Sequence, residues 1–376
     1  MTHRFAFPVL AALLLAAPAS AQMFAGGPNE PDTPISAKEK TAVIESLAVA
    51  VRDRYVFPDK GAELAKILRQ RHAKQEYDRI TSSMEFADSL LAHMQAYTHD
   101  RHMRVHYRHE PFPVRDDRAS VPDESERLRQ LEEMRVRNFG FEKVQRLAGN
   151  VGYLDLRMFA GNPEAQATAI AAMNFLGNTD AVIVDLRRNG GGSPAMIQTL
   201  LTYFVEPGDR LHINDFYRRA ADDIEQFHTT SFVPGPRLFG KPLYVLVSNR
   251  TGSAAEEFAY DVQTHKLGTL YGATTAGAAN PGGMFRLSEH LAAFIATGRA
   301  VNPVTKTNWE GVGVKPDRDV PPADALREAH VAALEKLKES ANAERKQALD
   351  MAIEQAKKAP SDPAEDFTRP TRRRAS

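Results

Sequence analysis

The stretch "AVIVDLRRNGGGSPAMIQTLL", residues 181–201, carries the signals from which the fold is read. It opens on an apolar, β-branched run, "AVIVDLR", that reads as a strand. It closes on a segment led by Pro194 whose apolar residues recur at three- and four-residue spacings, as on one face of a helix. Strand, glycine turn and helix in succession make the repeating unit of a parallel sheet, whose neighbouring strands must be joined by a crossover. The alternation continues on both sides, with strand "VGYLDL" and helix "PEAQATAIAAMNFL" before it and strand "LYVLVSN", helix "SAAEEFAYDVQTHK" and strand "TLYGA" after it. An α/β core over residues 149–321 follows, with "MFRLSEHLAAFIATGRAV" as a late hairpin.

Outside that core the patterns change. Residues 36–110 are helical in "KTAVIESLAVAVRDRYV", "GAELAKILRQRHAK" and "SMEFADSLLAHMQAY", and become strand-like only at "RVHYR". They read as an N-terminal helical domain, so a fragment beginning near Asn150 is expected to fold without them. Residues 111–148 are a charged linker and residues 322–376 an amphipathic helical tail whose end, "SDPAEDFTRPTRRRAS", is expected to be disordered. Residues 1–21 read as a secretory signal, with a basic start at His3 and Arg4, an apolar run and "ASA" before Gln22; residues 22–35 read as a flexible leader. A periplasmic or secreted product is expected, with no membrane span elsewhere.

Composition narrows the chemistry. Cysteine is absent, which excludes disulfides, thiolate metal sites and a cysteine nucleophile. Lys plus Arg and Asp plus Glu both number 48, and this balance gives no electrostatic attraction to nucleic acid. With 376 residues, 43% of them hydrophobic, the chain has enough apolar material for two domains.

Two turns carry candidate chemistry. "RNGGGSP", residues 188–194, brings backbone N–H groups to a helix start, where they serve a phosphate, an oxyanion or only a tight turn. The loop lacks the lysine of G-x-x-x-x-G-K-[ST], and no acidic ribose partner follows, which disfavours phosphate. In "NRTGSAAEEF" Ser253 and Glu256 form an S-x-x-E capping box, so the serine is either a helix cap or a nucleophile. Both turns follow strands of one open sheet and should share its carboxyl edge, where ligands of such sheets bind.

The motifs "NVGYLDL", "AVIVDLRRNGGGSP", "SNRTGSAAEEFAYDVQ", "GATTAGAANPGG" and "NWEGVGVKPD", in that order, resemble the tail-specific (carboxyl-terminal processing) serine peptidases. The front half, with "YVFPD" and "THDRHMRV", is most similar to their interphotoreceptor retinoid-binding-protein-like branch. The resemblance implies a crotonase-like core, a nucleophile at Ser253, and an oxyanion hole from the N–H of Ala254 with Gly191 or Gly192. Much of the family uses a lysine where this chain has Ala278. The tricorn-like pattern instead implies His102 as general base and Glu310 as the group that orients it, directly or through another hydroxyl. Arg101 stands where glycine is usual and is a candidate contact for a substrate carboxylate.

Competing readings use the same residues. His99, His102, His106 and His109 would line a metal-binding face if they lay on one helix, but "RVHYR" reads as extended. Asp185, Arg187 and Asp317 read as structural, the first two bracing the glycine loop. The sequence thus points to an exported serine peptidase acting on peptides or proteins, needing no metal or organic cofactor, and compatible with a homo-oligomer. The alternative is a catalytically weak or inactive binding protein for apolar small molecules on the same fold.

Overall fold

The computed structural model describes residues 30–113 and 124–367 apart from the side chain of Glu126. The signal reading of residues 1–21, most of the leader, the start of the charged segment and residues 368–376 lie outside those. In chain order the helices α1 (Ala37–Arg54), α2 (Pro58–Ala73) and α3 (Ser83–Thr98) lead to strand β1 (Arg104–Tyr107). Then come α4 (Glu124–Val136), β2 (Phe141–Leu147), β3 (Val151–Leu156), α5 (Ala165–Leu176), β4 (Ala181–Asp185) and α6 (Pro194–Thr202). They are followed by β5 (His212–Arg218), β6 (Asp223–His228), β7 (Leu243–Val247), α7 (Ala254–Thr264) and β8 (Thr269–Gly272). The chain continues through β9 (Gly282–Arg286), β10 (Leu291–Ala296), β11 (Gly298–Val301), β12 (Arg318–Asp319), α8 (Ala325–Glu339) and α9 (Ala343–Lys357).

The central sheet has the order β12-β8-β7-β4-β3-β2, parallel throughout except for β2, which runs antiparallel to β3 at the edge. The edge strands β2 and β12 carry exposed charges, while the inner strands β3, β4 and β7 are buried along their whole length because both faces are covered. Successive residues alternate between them: Val182 and Val184 pack among α5, α6 and α7 with Met173, Ile197 and Phe258, while Ala181 and Ile183 pack under α8 and α9 with Ala329, Leu334 and Ile353. The helical tail is therefore one layer of the core.

Helices α1 and α3 start at serine caps, Ser36 Oγ accepting the Glu39 N–H at 3.2 Å and Ser82 Oγ the Glu85 N–H at 2.9 Å, and Pro58 opens α2. Their buried faces, including Val43, Leu47, Leu64, Phe86 and Leu90, do not close a core among themselves. Val105 and Tyr107 of β1 and Leu291, Ala293 and Ile295 of β10 complete it. Strand β10 lies between β1 and β9, with Arg104 opposite Phe294 and Phe294 opposite Met284. The helical front thus shares one core with strands from the far side of the sequence, because helix faces alone leave apolar surface that only the hairpin covers.

Two further expectations need correction. The charged linker contains strand β2, whose exposed Glu142, Lys143 and Arg146 mask an edge strand. The tail beyond α9 is not disordered up to residue 367: Ala364–Phe367 form a short 3-10 turn and Phe367 is buried, because its ring fills a gap beside Arg187 and Arg188.

Candidate active site

Strands β4 and β7 are parallel neighbours with Asp185 opposite Leu246, so the turns after them leave the sheet at one edge. Hydrogen bonds lace these turns together. The Leu186 N–H reaches the Leu246 carbonyl at 2.9 Å, Thr251 Oγ1 donates to the Leu186 carbonyl at 2.8 Å, and the Gly252 N–H reaches the Asn189 carbonyl at 3.1 Å. Buried Asn189 holds the glycine loop in shape, donating from Nδ2 to the Leu156 carbonyl at 2.9 Å and accepting the Gly191 N–H on Oδ1 at 2.8 Å. Asp185 grips Arg187 through a buried ion pair at 2.5 Å, the expected brace.

Gly191 and Gly192 have φ values of 117° and 143°, accessible mainly to glycine. A Cβ on Gly191 would lie 2.7 Å from the Ser253 Cβ and 3.0 Å from the Ala254 nitrogen, and one on Gly192 would lie 2.1 Å from the Phe159 carbonyl oxygen. The loop is glycine because its backbone rests directly on the serine turn and on Phe159. With the Gly191 N–H taken by Asn189, the N–H groups of Gly192 and Ala254 are left without an acceptor among the described residues.

Ser253 has φ 54° and ψ −126°, a strained conformation for a residue with a side chain, costing on the order of 1–3 kcal/mol. It stands at the N-cap of α7 in the capping box that the sequence spells, and Glu256 Oε2 accepts the Ser253 N–H at 2.9 Å. The Glu256 N–H faces the Ser253 Oγ, while its main-chain bond runs to the Ser253 carbonyl at 2.8 Å. Glu256 also accepts from Thr275 Oγ1 at 2.5 Å, the Gly277 N–H at 2.6 Å and the Ala278 N–H at 2.9 Å. Burial pushes its carboxyl up to about 7 against these donors. Because donors occupy both oxygens, protonation would displace one of them, which favours the anion.

A second carboxylate works from the other side of the same loop. Glu310 accepts the N–H groups of Ala279 at 2.6 Å, Asn280 at 3.1 Å and Arg101 at 2.7 Å. Burial and, after it, Asp100 push Glu310 up to about 7. The consecutive amides of residues 277–280, around the position where the family's lysine would stand, are thus shared between Glu256 and Glu310. Arg101, exposed, donates from Nη1 to the Ala276 carbonyl at 3.2 Å, and the Ala276 N–H reaches the Thr251 carbonyl at 2.9 Å.

His102 is buried, its ring stacked on Phe294 at a centroid distance of 4.7 Å, and its Nδ1 has no hydrogen-bond partner among the described residues. Burial lowers it to about 4, opposed by Asp100. Asp100 accepts the His102 N–H at 3.0 Å and the Met103 N–H at 3.3 Å on Oδ1, and Asn280 Nδ2 at 3.0 Å on Oδ2. The structure therefore groups Ser253, Ala254, Gly191 and Gly192 at one end of the 276–280 loop and His102 and Glu310 at the other, with Arg101 joining the two, its N–H on Glu310 and its guanidinium on the Ala276 carbonyl. Glu310 holds the backbone beside His102 and makes no hydrogen bond to its ring among the described residues. Asp100 and Asn280 escaped the sequence reading, since nothing in "THDRH" or "AANPGG" marks them as buried partners. The helical face for a histidine metal cluster does not form: residues 104–107 are strand, and His99 ends α3 with a φ of 58°.

Comparison with known proteins adds the following. The profile described as Peptidase family S41 matches residues 150–320, and that described as the N-terminal domain of Peptidase_S41 in eukaryotic IRBP matches residues 37–137. The carboxyl-terminal-processing peptidase 2, chloroplastic, of Arabidopsis thaliana is 30% identical over 174 residues, 46% of this chain and 32% of that protein. The carboxy-terminal-processing protease of Bartonella bacilliformis is 27% identical over 177 residues, 46% of this chain and 39% of that protein. These matches span between 32% and 39% of the relatives' own length. Among solved structures, a lipoprotein from Streptococcus agalactiae shares the fold at 13% identity, with a TM-score of 0.51 over 80% of this chain and 98% of that one. No described helix is long and apolar enough to cross a membrane.

Proposed function

We propose, from the premise that the chain belongs to peptidase family S41, that it is an exported serine peptidase that cleaves peptides or proteins on a crotonase-like core. Ser253 Oγ attacks the peptide carbonyl, and His102, kept neutral by burial, takes its proton and gives it to the leaving amine. The acyl group left on Ser253 is then released by water, with His102 acting again as base. The N–H groups of Gly192 and Ala254 receive the oxyanion, a choice between the glycines supported by the prior engagement of Gly191 with Asn189. Glu310 is a positioning residue that fixes the backbone on both sides of His102. To Arg101 we assign a contact with a substrate carboxylate, supported by its exposed guanidinium. Export is supported by the signal-like residues 1–21.

The observation that carries this reading is the strained Ser253 backbone at the turn on which the glycine loop rests. A cap needs no such strain, which gathers at functional turns. A fluorophosphonate probe tests it: the wild type should be labelled at Ser253, and Ser253→Ala should lose both labelling and peptide hydrolysis by several orders of magnitude. Hydrolysis that survives Ser253→Ala would overturn the assignment. A plain cap would predict only about 1 kcal/mol of lost stability.

A further inference from the structure

Beneath both catalytic turns lies one short piece of chain, residues 362–367. Arg187 and Arg188 lead into the glycine loop, and Arg250 leads into the serine turn. All three are held by this segment. The Phe367 ring is 4.3 Å from the Arg187 guanidinium carbon and 5.6 Å from that of Arg188. Asp362 pairs with Arg187 at 2.8 Å, the Asp366 carboxylate with Arg188 at 3.1 Å, and the Asp366 carbonyl accepts Arg250 Nη1 at 2.6 Å. On their far sides Arg187 is pinned by Asp185 and Arg188 by Asp155 at 2.9 Å.

We propose that residues 362–367 form a clasp that fixes the glycine loop against the serine turn, and that Phe367 is its central positioning residue. The two turns it joins carry Gly192 and Ala254. Two amides on separate turns serve one oxyanion only if their separation is fixed, and small misplacements cost large factors in rate. The cation–π stack and the ion pairs hold the two arginines of the glycine loop, a buried aromatic face keeping two guanidinium groups of like charge side by side, and the Arg250 hydrogen bond to the Asp366 carbonyl ties the serine turn to the same segment. The step from clasp to catalysis rests on Ser253 being the nucleophile; the clasp itself does not.

The test uses the full chain with Phe367→Ala and Phe367→Leu. Phe367→Ala should slow fluorophosphonate labelling of Ser253 and lower kcat by about tenfold or more while KM moves by less than about twofold, with Leu recovering part of the loss. Amide hydrogen exchange should quicken at residues 190–192 and 251–254 and stay unchanged in α1 and β10. A variant with a lower Tm but wild-type labelling and wild-type exchange in both turns overturns the proposal. If the wild type itself neither labels nor hydrolyses, the peptidase reading falls, and exchange alone decides: unchanged exchange overturns the clasp, and faster exchange in both turns sustains it. Should Phe367→Ala fail to fold, Asp366→Asn, which weakens the Arg188 pairing and leaves the Arg250 contact with the backbone carbonyl, should quicken exchange at residues 190–192, and unchanged exchange there overturns the clasp.

Discussion

At His102 burial and a neighbouring carboxylate pull in opposite directions, and burial wins, leaving the ring titrating at about 4. An unfolded histidine titrates near 6.5, so between those values the unfolded chain binds a proton that the folded chain refuses, and stability rises with pH. Acidification from about pH 6.5 to about 4 should therefore remove stability on the order of 3 kcal/mol through this group, and His102→Gln should flatten that slope in urea titrations at stepped pH. His102 should give kcat/KM an acid limb near pH 4, and a limb near 7 would report the Glu256 and Glu310 carboxyls instead. Asp100→Asn keeps an oxygen for the His102 N–H but removes the charge that favours protonation, so its acid limb should move to lower pH; an unmoved limb would mean that Asp100 acts only as a backbone anchor. Ser253, by contrast, was legible as a residue but not as a conformation: the S-x-x-E pattern is the same whether or not the hydroxyl caps the helix. The role of Asp100 was invisible because its partners, the His102 and Met103 amides and Asn280, meet only through the fold.

Among the elements, the inner parallel strands were easy to read because burial on both faces makes them mostly apolar, as in "AVIV". Strands β2, β5 and β6 were not, since each has exposed polar positions that dilute the apolar pattern. The position of the glycine loop was legible, and the reason for its glycines was not, since the reason is contact with Ser253 and Phe159. That contact sets a prediction. Gly192→Ala should cost about 2 kcal/mol or more in denaturant titration, because it forces both a left-handed φ and a clash with the Phe159 carbonyl. Gly240 has a φ of 79° and nothing within 4 Å of an added Cβ, so Gly240→Ala should cost only about 1 kcal/mol from conformation. Equal losses at the two positions would mean that the glycine loop yields where the structure has it tight.

On the scale of the whole molecule, the shared core of α1, α3, β1 and β10 changes the expectation for a fragment beginning near Asn150. Such a fragment keeps Leu291, Ala293 and Ile295 without the helices that bury them and β3 without its edge partner β2. It should be insoluble or loosely folded, and the single tryptophan, Trp309, buried in the complete chain, reports the outcome. Red-shifted emission is expected from the fragment, and native-like emission with cooperative melting would show that the core stands alone. The pairing of Arg104 with Phe294 also has a meaning in time. The front helices leave the ribosome first, yet their apolar faces cannot close until the hairpin near the other end has been made. Contacts of such long sequence separation form slowly, and their late arrival leaves the nascent front half exposed to aggregation or chaperone capture. The part of the chain that is synthesised first is thus among the last to finish folding.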